Sequence, residues 1–264
     1  ANLEQALLID PRNSTAAAEI GYTHYYLREY EKGIGYCDRG IGIDPDNQWP
    51  HLIKSFGYQC WKGDLEKARK ALEDYRGGTS EPSVQWAWFW LEYYEGKYQD
   101  ALELLDSYPR PDFMNQSSYA PVDQLRGLVY LQQGDTSRAR RAFQSALVTA
   151  EAALGRISDD PRILSSLGHI HARLGRKKEA IAAGERAVEI YPVSRDAILG
   201  TARVYDLARI YAITGEYLSA LEKIEYLLSI PSPYSIALFS IIPTLAPLRG
   251  QPGYKRLVRI YGED

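Results

Sequence analysis

One short pattern recurs along this sequence: a glycine, four variable residues and an alanine. Five copies begin at Gly63, Gly96, Gly134, Gly175 and Gly215, and a sixth, degenerate copy has Arg28 in the glycine position and Gly33 in the alanine position. Successive copies begin 35, 33, 38, 41 and 40 residues apart. Self-similarity at such a period predicts a chain of similar two-element units that bury their apolar faces by stacking on their neighbours.

The residue types in this pattern predict pairs of antiparallel helices. Glycine ends a helix in the left-handed conformation at little steric cost, so each glycine should close the first helix of a pair. Seven residues before four of the turns stands another small residue: Gly21, Gly127, Gly168 and Ala208. Small residues on both helices allow the helix axes to approach to about 8–10 Å.

Several second helices end with an apolar run and a proline, as at Pro11, Pro45 and Pro192. A unit with Leu-Gly on the first helix, glycine at the turn, alanine five residues later and a terminal proline resembles the tetratricopeptide repeat. Two copies carry the resemblance best: Leu167-Gly168 with Ala180, Ala187 and Pro192, and Ile20-Gly21 with Tyr30 and Pro45. The resemblance implies an all-α fold, a right-handed superhelix of about six helix pairs with a C-terminal capping helix.

The pattern divides the chain into a repeat region over residues 1–231 and a cap over residues 232–264. Helix pairs are predicted at residues 14–44, 49–75, 82–107, 120–154, 161–190 and 201–229, and residues 1–10 read as the second helix of a pair whose first helix is missing. We therefore expect a piece of a longer protein. Two prolines and a polar cluster predict a break in the superhelix near residues 108–119. The cap should contain a short helix near 234–240 and a final helix near 251–261, covering the edge of the last pair.

Nothing in the sequence predicts catalysis, a cofactor or a metal site. No phosphate-cradling glycine loop, no G-x-S-x-G and no H-E-x-x-H is present, and His169 and His171 stand two apart, on opposite sides of a helix. The net charge of −3, without a block of like charges, indicates no nucleic-acid partner. No apolar run reaches ~18 residues, so no membrane insertion is expected. Cys37 and Cys60 lie on helices that should be neighbours, and both are expected to be buried free thiols.

In the tetratricopeptide family the first helices line the concave surface where partners bind, and helical periodicity predicts which side chains face it. The N-terminal half offers aromatic residues and the C-terminal half offers arginines, which would suit a peptide with apolar anchors and an acidic end. The expected peptide-binding residues are Tyr22, Tyr25, Trp61, Trp86, Trp90, Tyr93, His169, Arg173 and Arg209. Because Trp86, Trp88, Phe89 and Trp90 fall within five residues, part of this cluster must be core, and the sequence leaves open which part.

The resulting hypothesis is a non-catalytic scaffold that binds a protein or peptide. The segments Leu227–Ser232, Pro243–Arg249 and Pro252–Leu257 resemble the closing part of repeat regions in bacterial signalling and transcription-regulator proteins, which implies a regulatory module of a larger protein. Two alternatives are a small-molecule-sensing domain and a homo-oligomerisation scaffold, the latter as a homodimer. A cytoplasmic location is expected, or a periplasmic one if a membrane segment precedes the module.

Overall fold

The computed structural model describes residues 2–262. In this range fifteen α-helices, one 3-10 helix and two short strands follow one another. The helices are α1 Asn2–Ile9, α2 Ser14–Tyr26, α3 Tyr30–Ile43, α4 Gln48–Lys62, α5 Leu65–Glu73, α6 Pro82–Glu95, α7 Tyr98–Ser107, α8 Val122–Gln132, α9 Thr136–Arg156, α10 Pro161–Arg173, α11 Lys177–Ile190, α12 Ala197–Thr214, α13 Tyr217–Ser229, α14 Ile236–Ile241 and α15 Pro252–Tyr261, with the 3-10 helix Pro243–Leu248 and strands β1 Asp112–Met114 and β2 Tyr119–Pro121. The predicted all-α class is confirmed.

The chain forms two compact units. The first unit contains the residues up to Glu95, Pro231–Ile242 and the end of the chain from Val258, and the second contains Gly96–Ile230 and Pro243–Leu257. Helices α2 and α3, and α4 and α5, pack as pairs in the first unit, while α8/α9, α10/α11 and α12/α13 are the pairs of the second. The boundary after Glu95 separates α6 from α7, which the sequence predicts as one pair.

The predicted helix-closing turns adopt the left-handed conformation. The φ angles of Gly63, Gly96, Gly134, Gly175 and Gly215 lie between 63° and 81°, and that of Arg28 is 57°. Arg28 therefore has the backbone conformation of the glycine that it replaces, although a Cβ atom makes that conformation unfavourable. The degenerate first copy keeps the geometry of the turn without the residue type that favours it.

Replacing Arg28 by glycine is expected to stabilise the chain. Relief of the left-handed strain exceeds the extra backbone entropy of glycine in the unfolded state, so the free energy of unfolding should rise by about 0.5–1 kcal/mol. Gly175→Ala is the matched reverse change, because its φ is 78° and its Cβ would meet no atom within 4 Å. It should lower the free energy of unfolding by about 1 kcal/mol through backbone strain alone. Urea denaturation measures both, and equal midpoints for the two variants would contradict the argument.

The segment that the sequence predicts as a break forms a β-hairpin inside the second unit. Strands β1 and β2 pair antiparallel with Phe113 opposite Ala120, and β2 packs against α8, α9 and α10. The side chain of Asn115 accepts hydrogen bonds from the backbone N–H groups of Ser117 and Ser118, at 3.0 and 2.8 Å, and so shapes the tip. The two prolines and the polar cluster thus belong to a folded turn.

Two arginines of the second unit hold the tip of this hairpin. Arg162 donates from Nη1 to the carbonyl oxygen of Asn115 at 2.7 Å, and Arg203 donates from Nη2 to that of Ser117. Arg162 also makes a bidentate contact with Asp160. Burial raises the pKa of Asp160, but the hydrogen bonds and the charge of Arg162 outweigh it and leave that pKa below its ordinary value. Arg162 therefore serves the fold.

The C-terminal segment contributes to each unit separately. In the first unit α14 packs against α4, where Ser235 donates its hydroxyl to the carbonyl of Cys60 and Gly63 lies against Ala237 and Ile241. The short helix predicted near residues 234–240 is thus α14, which packs in the first unit. The boundary proposed at residues 231–232 between repeat region and cap stays a prediction.

In the second unit the 3-10 helix Pro243–Leu248 packs against α12. Gly253 is in close contact with Leu221, and Arg256 pairs with Glu225 at 2.5 Å. The start of the final helix therefore contacts α13, the second helix of the last pair.

Candidate functional site

In the first unit, half-buried aromatic side chains cluster where α2 meets α4. Tyr22 and Tyr26 stand one helical turn apart with ring centroids at 5.3 Å in an edge-to-face arrangement. The ring of Phe56 on α4 lies 6.4 Å from that of Tyr22. Tyr22, Tyr26 and Phe56, here called the α2–α4 cluster, are each half-buried. Tyr22 is among the peptide-binding residues predicted from the sequence, but Phe56 is not. The position of Phe56 next to Gly57 on a first helix is the signal that could have indicated it.

A second group of aromatic side chains follows one side of α6. Trp86, Trp90 and Tyr94 are four residues apart and half-buried, and the ring centroids of successive members are 5.5 and 5.7 Å apart. Side chains at i and i+4 lie above one another on a helix, so the three rings form a continuous stripe. We call these three residues the α6 stripe.

The other aromatic residues of α6 lie beside the stripe and pack within the first unit. Phe89 and Tyr93 are buried, with exposed fractions of 0% and 2%, and their rings stack at 6.0 Å. Trp88 packs against the apolar cluster of Ala68 and Leu72, and the guanidinium of Arg69 lies 5.1 Å from its ring. The sequence leaves open which of these aromatic residues are core. In the structure Trp86 and Trp90 are partly accessible, whereas Phe89 and Tyr93 are core.

Two of the predicted aromatic peptide-binding residues are therefore unavailable to a partner. Tyr25 has an exposed fraction of 0% and fills the space above Gly33 and Gly57, with its hydroxyl 3.6 Å from the sulfur of Cys37. Tyr93 is buried as described above. Both predictions were wrong because helical periodicity identifies a side of a helix without showing what packs on it. Trp61 is half-buried at the end of α4, with the ammonium of Lys62 4.4 Å from its ring.

In the second unit the structure brings together the three remaining predicted residues, His169, Arg173 and Arg209. They line a small cavity between first helices, and its volume of about 10 Å³ holds about one water molecule. The other lining residues are Gln124, Leu128, Phe143, Ile213 and Thr244. Helices α8, α10 and α12 each contribute two lining residues four apart, as expected for one face of each helix.

Asp206 organises the charges beside this cavity. Its carboxylate lies 3.1 Å from Arg203 Nη2, 3.4 Å from His169 Nε2 and 3.9 Å from Arg209 Nη1. Burial alone would raise the pKa of Asp206, but Arg203, His169 and Arg209 together lower it to about 2. Sequence analysis misses Asp206 and Arg203, although Asp206 stands three residues from both Arg203 and Arg209 on one helix.

His169 is neutral at pH 7 in this environment. Burial lowers its pKa to about 4, with a further contribution from the positive charge of Arg209, and the hydrogen bond to Asp206 opposes the change only in part. The site therefore carries the charges of its arginines and of Asp206, whereas the imidazole serves as a hydrogen-bonding group. Arg173 is held from the other side, because its Nη2 donates to the hydroxyl of Thr244 at 3.1 Å.

Within residues 2–262, no three His, Cys, Asp or Glu side chains are grouped so that they could hold a metal ion. Cys37 and Cys60 are buried free thiols; burial raises the pKa of Cys37 to about 12 and that of Cys60 well above its usual value. Thiols that remain protonated at neutral pH are poor nucleophiles. None of the helices in the described range is long and apolar enough to cross a membrane.

Comparison with known sequences identifies tetratricopeptide repeats in the middle of the chain. A model for a tetratricopeptide repeat-like domain matches residues 57–158, and one for the tetratricopeptide repeat matches residues 125–195. No curated protein sequence matches the chain. The matched residues extend from within α4 to the turn before α12. They include α6 with its aromatic stripe and α10 with His169 and Arg173.

Solved structures of helical-repeat proteins resemble the chain in fold. Human IFIT1, in its dimer with m7Gppp-AAAA, is 16% identical over 99% of this chain and 67% of that chain, with a TM-score of 0.56. The Cut9–Hcn1 hetero-tetramer of the APC/C gives 16% identity over 99% of this chain and 49% of that chain, with a TM-score of 0.50. PilF of Pseudomonas aeruginosa gives 14% identity over 95% and 100%, with a TM-score of 0.47. At these identities the likeness concerns the helical-repeat fold alone.

Proposed function

Taking this helical-repeat fold as the premise, we propose that the chain is a non-catalytic scaffold that binds a protein or peptide segment, as a regulatory module of a larger signalling or transcription protein. The observation that carries the proposal is the row of half-buried aromatic side chains on consecutive first helices of the first unit, the α2–α4 cluster and the α6 stripe. A cytoplasmic location is part of the proposal.

Aromatic side chains of this kind suit a binding surface. Tyrosine and tryptophan offer a large apolar area with a polar tip, and few rotatable bonds are immobilised when they bind. Energetically important interface residues are enriched in these two types and lie in positions from which water is excluded on binding. Trp86 and Trp90 are already packed against each other at 5.5 Å, so little ordering remains when a partner arrives.

The spacing of the rings indicates which kinds of partner segment fit the stripe. Residues four apart on a helix rise by about 6 Å, so Trp86, Trp90 and Tyr94 present a stripe about 12 Å long. An amphipathic helix with apolar residues at i, i+4 and i+7, or an extended segment with alternate apolar residues, matches this length. Among the solved relatives, Cut9 with Hcn1 is a protein assembly and IFIT1 is seen with a capped RNA, so both classes of ligand belong in the test.

We expect Trp90→Ala to weaken peptide binding at least tenfold, because it removes the central ring of the α6 stripe. A displayed peptide library is selected on the immobilised chain, and the best peptide is measured by fluorescence anisotropy against each variant. Trp86→Ala should have a similar effect. Tyr226→Ala is the matched control, since Tyr226 is 42% exposed on α13, and its affinity should equal that of the wild type.

Circular dichroism confirms that each variant is folded before the affinities are compared. Equal affinity of wild type and both tryptophan variants would contradict the role of the stripe. Selective binding of a single-stranded RNA that Trp90→Ala abolishes would reassign the surface to nucleic acid.

Self-association by the same aromatic surface is the competing function, and analytical ultracentrifugation distinguishes it. If the aromatic residues bind a second copy, the wild type sediments as a dimer at micromolar concentration and Trp90→Ala as a monomer. A monomeric wild type that binds the selected peptide supports the scaffold function.

A further inference from the structure

In the second unit, a short stretch of the chain itself occupies the face on which a partner is expected. The 3-10 helix Pro243–Leu248 packs against α12, and Thr244 lines the cavity together with residues of α8, α10 and α12. The hydroxyl of Thr244 accepts a hydrogen bond from Arg173, one of the residues that the sequence predicts as peptide-binding. The side chains of Leu245 and Leu248 are 0% exposed.

We propose that Pro243–Leu248, called the tail segment below, is an internal ligand of the first-helix face of the second unit, which a partner peptide of the same chemistry displaces. The proposal rests on the proposed function, since it names the partner that this part of the scaffold accepts. The partner carries two leucine-like anchors three residues apart and, directly before the first anchor, a hydrogen-bond acceptor for Arg173.

The way in which the tail segment is held supports a ligand-like role. Pro243 and Pro247 have no N–H group to donate, and the backbone bonds at its end, from Arg249 to Ala246 and from Gln251 to Leu248, close local turns. Two fully buried leucines and one hydroxyl on a guanidinium attach the tail segment to the unit. Bound peptides are likewise often proline-containing or extended segments whose side chains enter pockets.

The contact with Arg173 indicates which partner would compete best. A hydroxyl is a neutral acceptor, whereas a carboxylate in the same position would form a charge-assisted bond with the guanidinium, which is shorter and stronger. Arg209 also lines this cavity, and the carboxylate of Asp206 lies 3.9 Å from its Nη1. A peptide with aspartate or glutamate in the position of Thr244 should therefore bind more tightly than the tail sequence itself.

The test is a competition between a free peptide and the tail segment of the chain itself, which is the tethered copy of that peptide. The full-length chain is titrated with a fluorescein-labelled peptide of the sequence of residues 242–250 and with the same peptide carrying glutamate in place of Thr244. The wild type should bind weakly, because its own tail segment is present at a high effective concentration. Leu245→Ser, which weakens the tethered copy, should bind the labelled peptide at least tenfold more tightly than the wild type.

Controls separate this site from non-specific binding. A peptide with serine in place of Leu248 should not bind the Leu245→Ser chain, and the double variant Leu245→Ser/Arg173→Gln should lose the preference for the glutamate peptide. Equal affinity of wild type and Leu245→Ser for the peptide overturns the proposal. Failure of this test leaves the α6 stripe untouched, because Trp90→Ala is measured with a different, selected peptide in the first unit.

Hydrogen exchange of the wild type decides the matter if Leu245→Ser does not fold. The amides of Leu245, Ala246 and Leu248 should exchange through local opening, at least tenfold faster than those of Leu207 and Ile210 in the core of α12. Exchange of both sets at one common rate would assign the tail segment to the core of the unit and overturn the proposal.

Discussion

Gly33→Ala is expected to destabilise the chain by about 2–3 kcal/mol, although alanine is the better helix former. A Cβ atom at Gly33 would lie 2.3 Å from Cε1 of Tyr25 and 2.7 Å from the carbonyl oxygen of Gly21. The ring of Tyr25 is completely buried, and the oxygen belongs to the backbone of α2, so neither can move aside easily. The loss arises because α2 and α3 must separate to accept one additional carbon.

Gly35 on the same helix provides a matched control. A Cβ at Gly35 would meet no atom within 4 Å, so Gly35→Ala should raise the free energy of unfolding by about 0.5–1 kcal/mol through helix propensity alone. Urea denaturation of both variants at pH 7 measures the difference of about 3 kcal/mol between two identical changes two residues apart. Destabilisation of similar size in both variants would show that the close contact at Gly33 is not what matters.

His169 is expected to make the protein sensitive to acid between pH 6.5 and 4. Burial lowers its pKa from the ordinary 6.5 to about 4, so in this range the unfolded chain binds a proton that the folded chain does not. Stability therefore falls as the pH is lowered through this window, by about 3 kcal/mol for a group of this kind. Above pH 6.5 both states carry a neutral imidazole, and the contribution to pH dependence disappears.

The variant His169→Gln should remove this part of the pH dependence. Glutamine keeps a hydrogen-bonding group beside Asp206 but does not titrate. The difference in free energy of unfolding between variant and wild type should shift by about 3 kcal/mol in favour of the variant from pH 7 to pH 4. Other titrating groups are common to both chains, so their contributions largely cancel in that difference. Parallel stability curves over pH 4–7 would show that His169 exchanges its proton equally in the folded and unfolded states.

Asp206 acts in the same direction as His169, but at lower pH. Its folded pKa is about 2, below the ordinary 3.8, so its stabilising contribution is complete above pH 3.8 and is lost as the pH falls through 2. The two groups therefore titrate in separate windows. A series of denaturation curves from pH 7 to pH 2 resolves the histidine step first and the aspartate step afterwards.

The turns and the helix types could be predicted from the sequence because they depend on local chemistry. A glycine that must adopt a positive φ, or an aspartate or asparagine that caps a helix, acts within a few residues. For the same reason Arg28, which breaks the glycine rule, could still be placed at a turn from the spacing of the other copies. The convergence of His169, Arg173 and Arg209 followed from periodicity, since it requires only that first helices of successive pairs lie side by side.

Burial could not be predicted in the same way. Tyr25 lies near the partly accessible Tyr22 and Tyr26 on α2, and Tyr93 precedes the partly accessible Tyr94 on α6, but the packing of neighbouring helices decided that Tyr25 and Tyr93 are core. The hairpin at residues 112–121 was missed because its stability depends on Arg162 and Arg203, which lie 47 and 86 residues from their partners at the tip. No local pattern reports a hydrogen bond between such distant residues.

The amino-acid sequence by itself determined the repeating helix pairs, their glycine turns and the small residues that allow close packing, because each depends on backbone conformation within one unit. Only the tertiary structure decided which aromatic rings are accessible, that Asp206 contacts His169 of another helix, and that Pro243–Leu248 lies on the first-helix face of the second unit. These last features depend on contacts between residues that are distant along the chain, and such contacts exist only after the helices have packed.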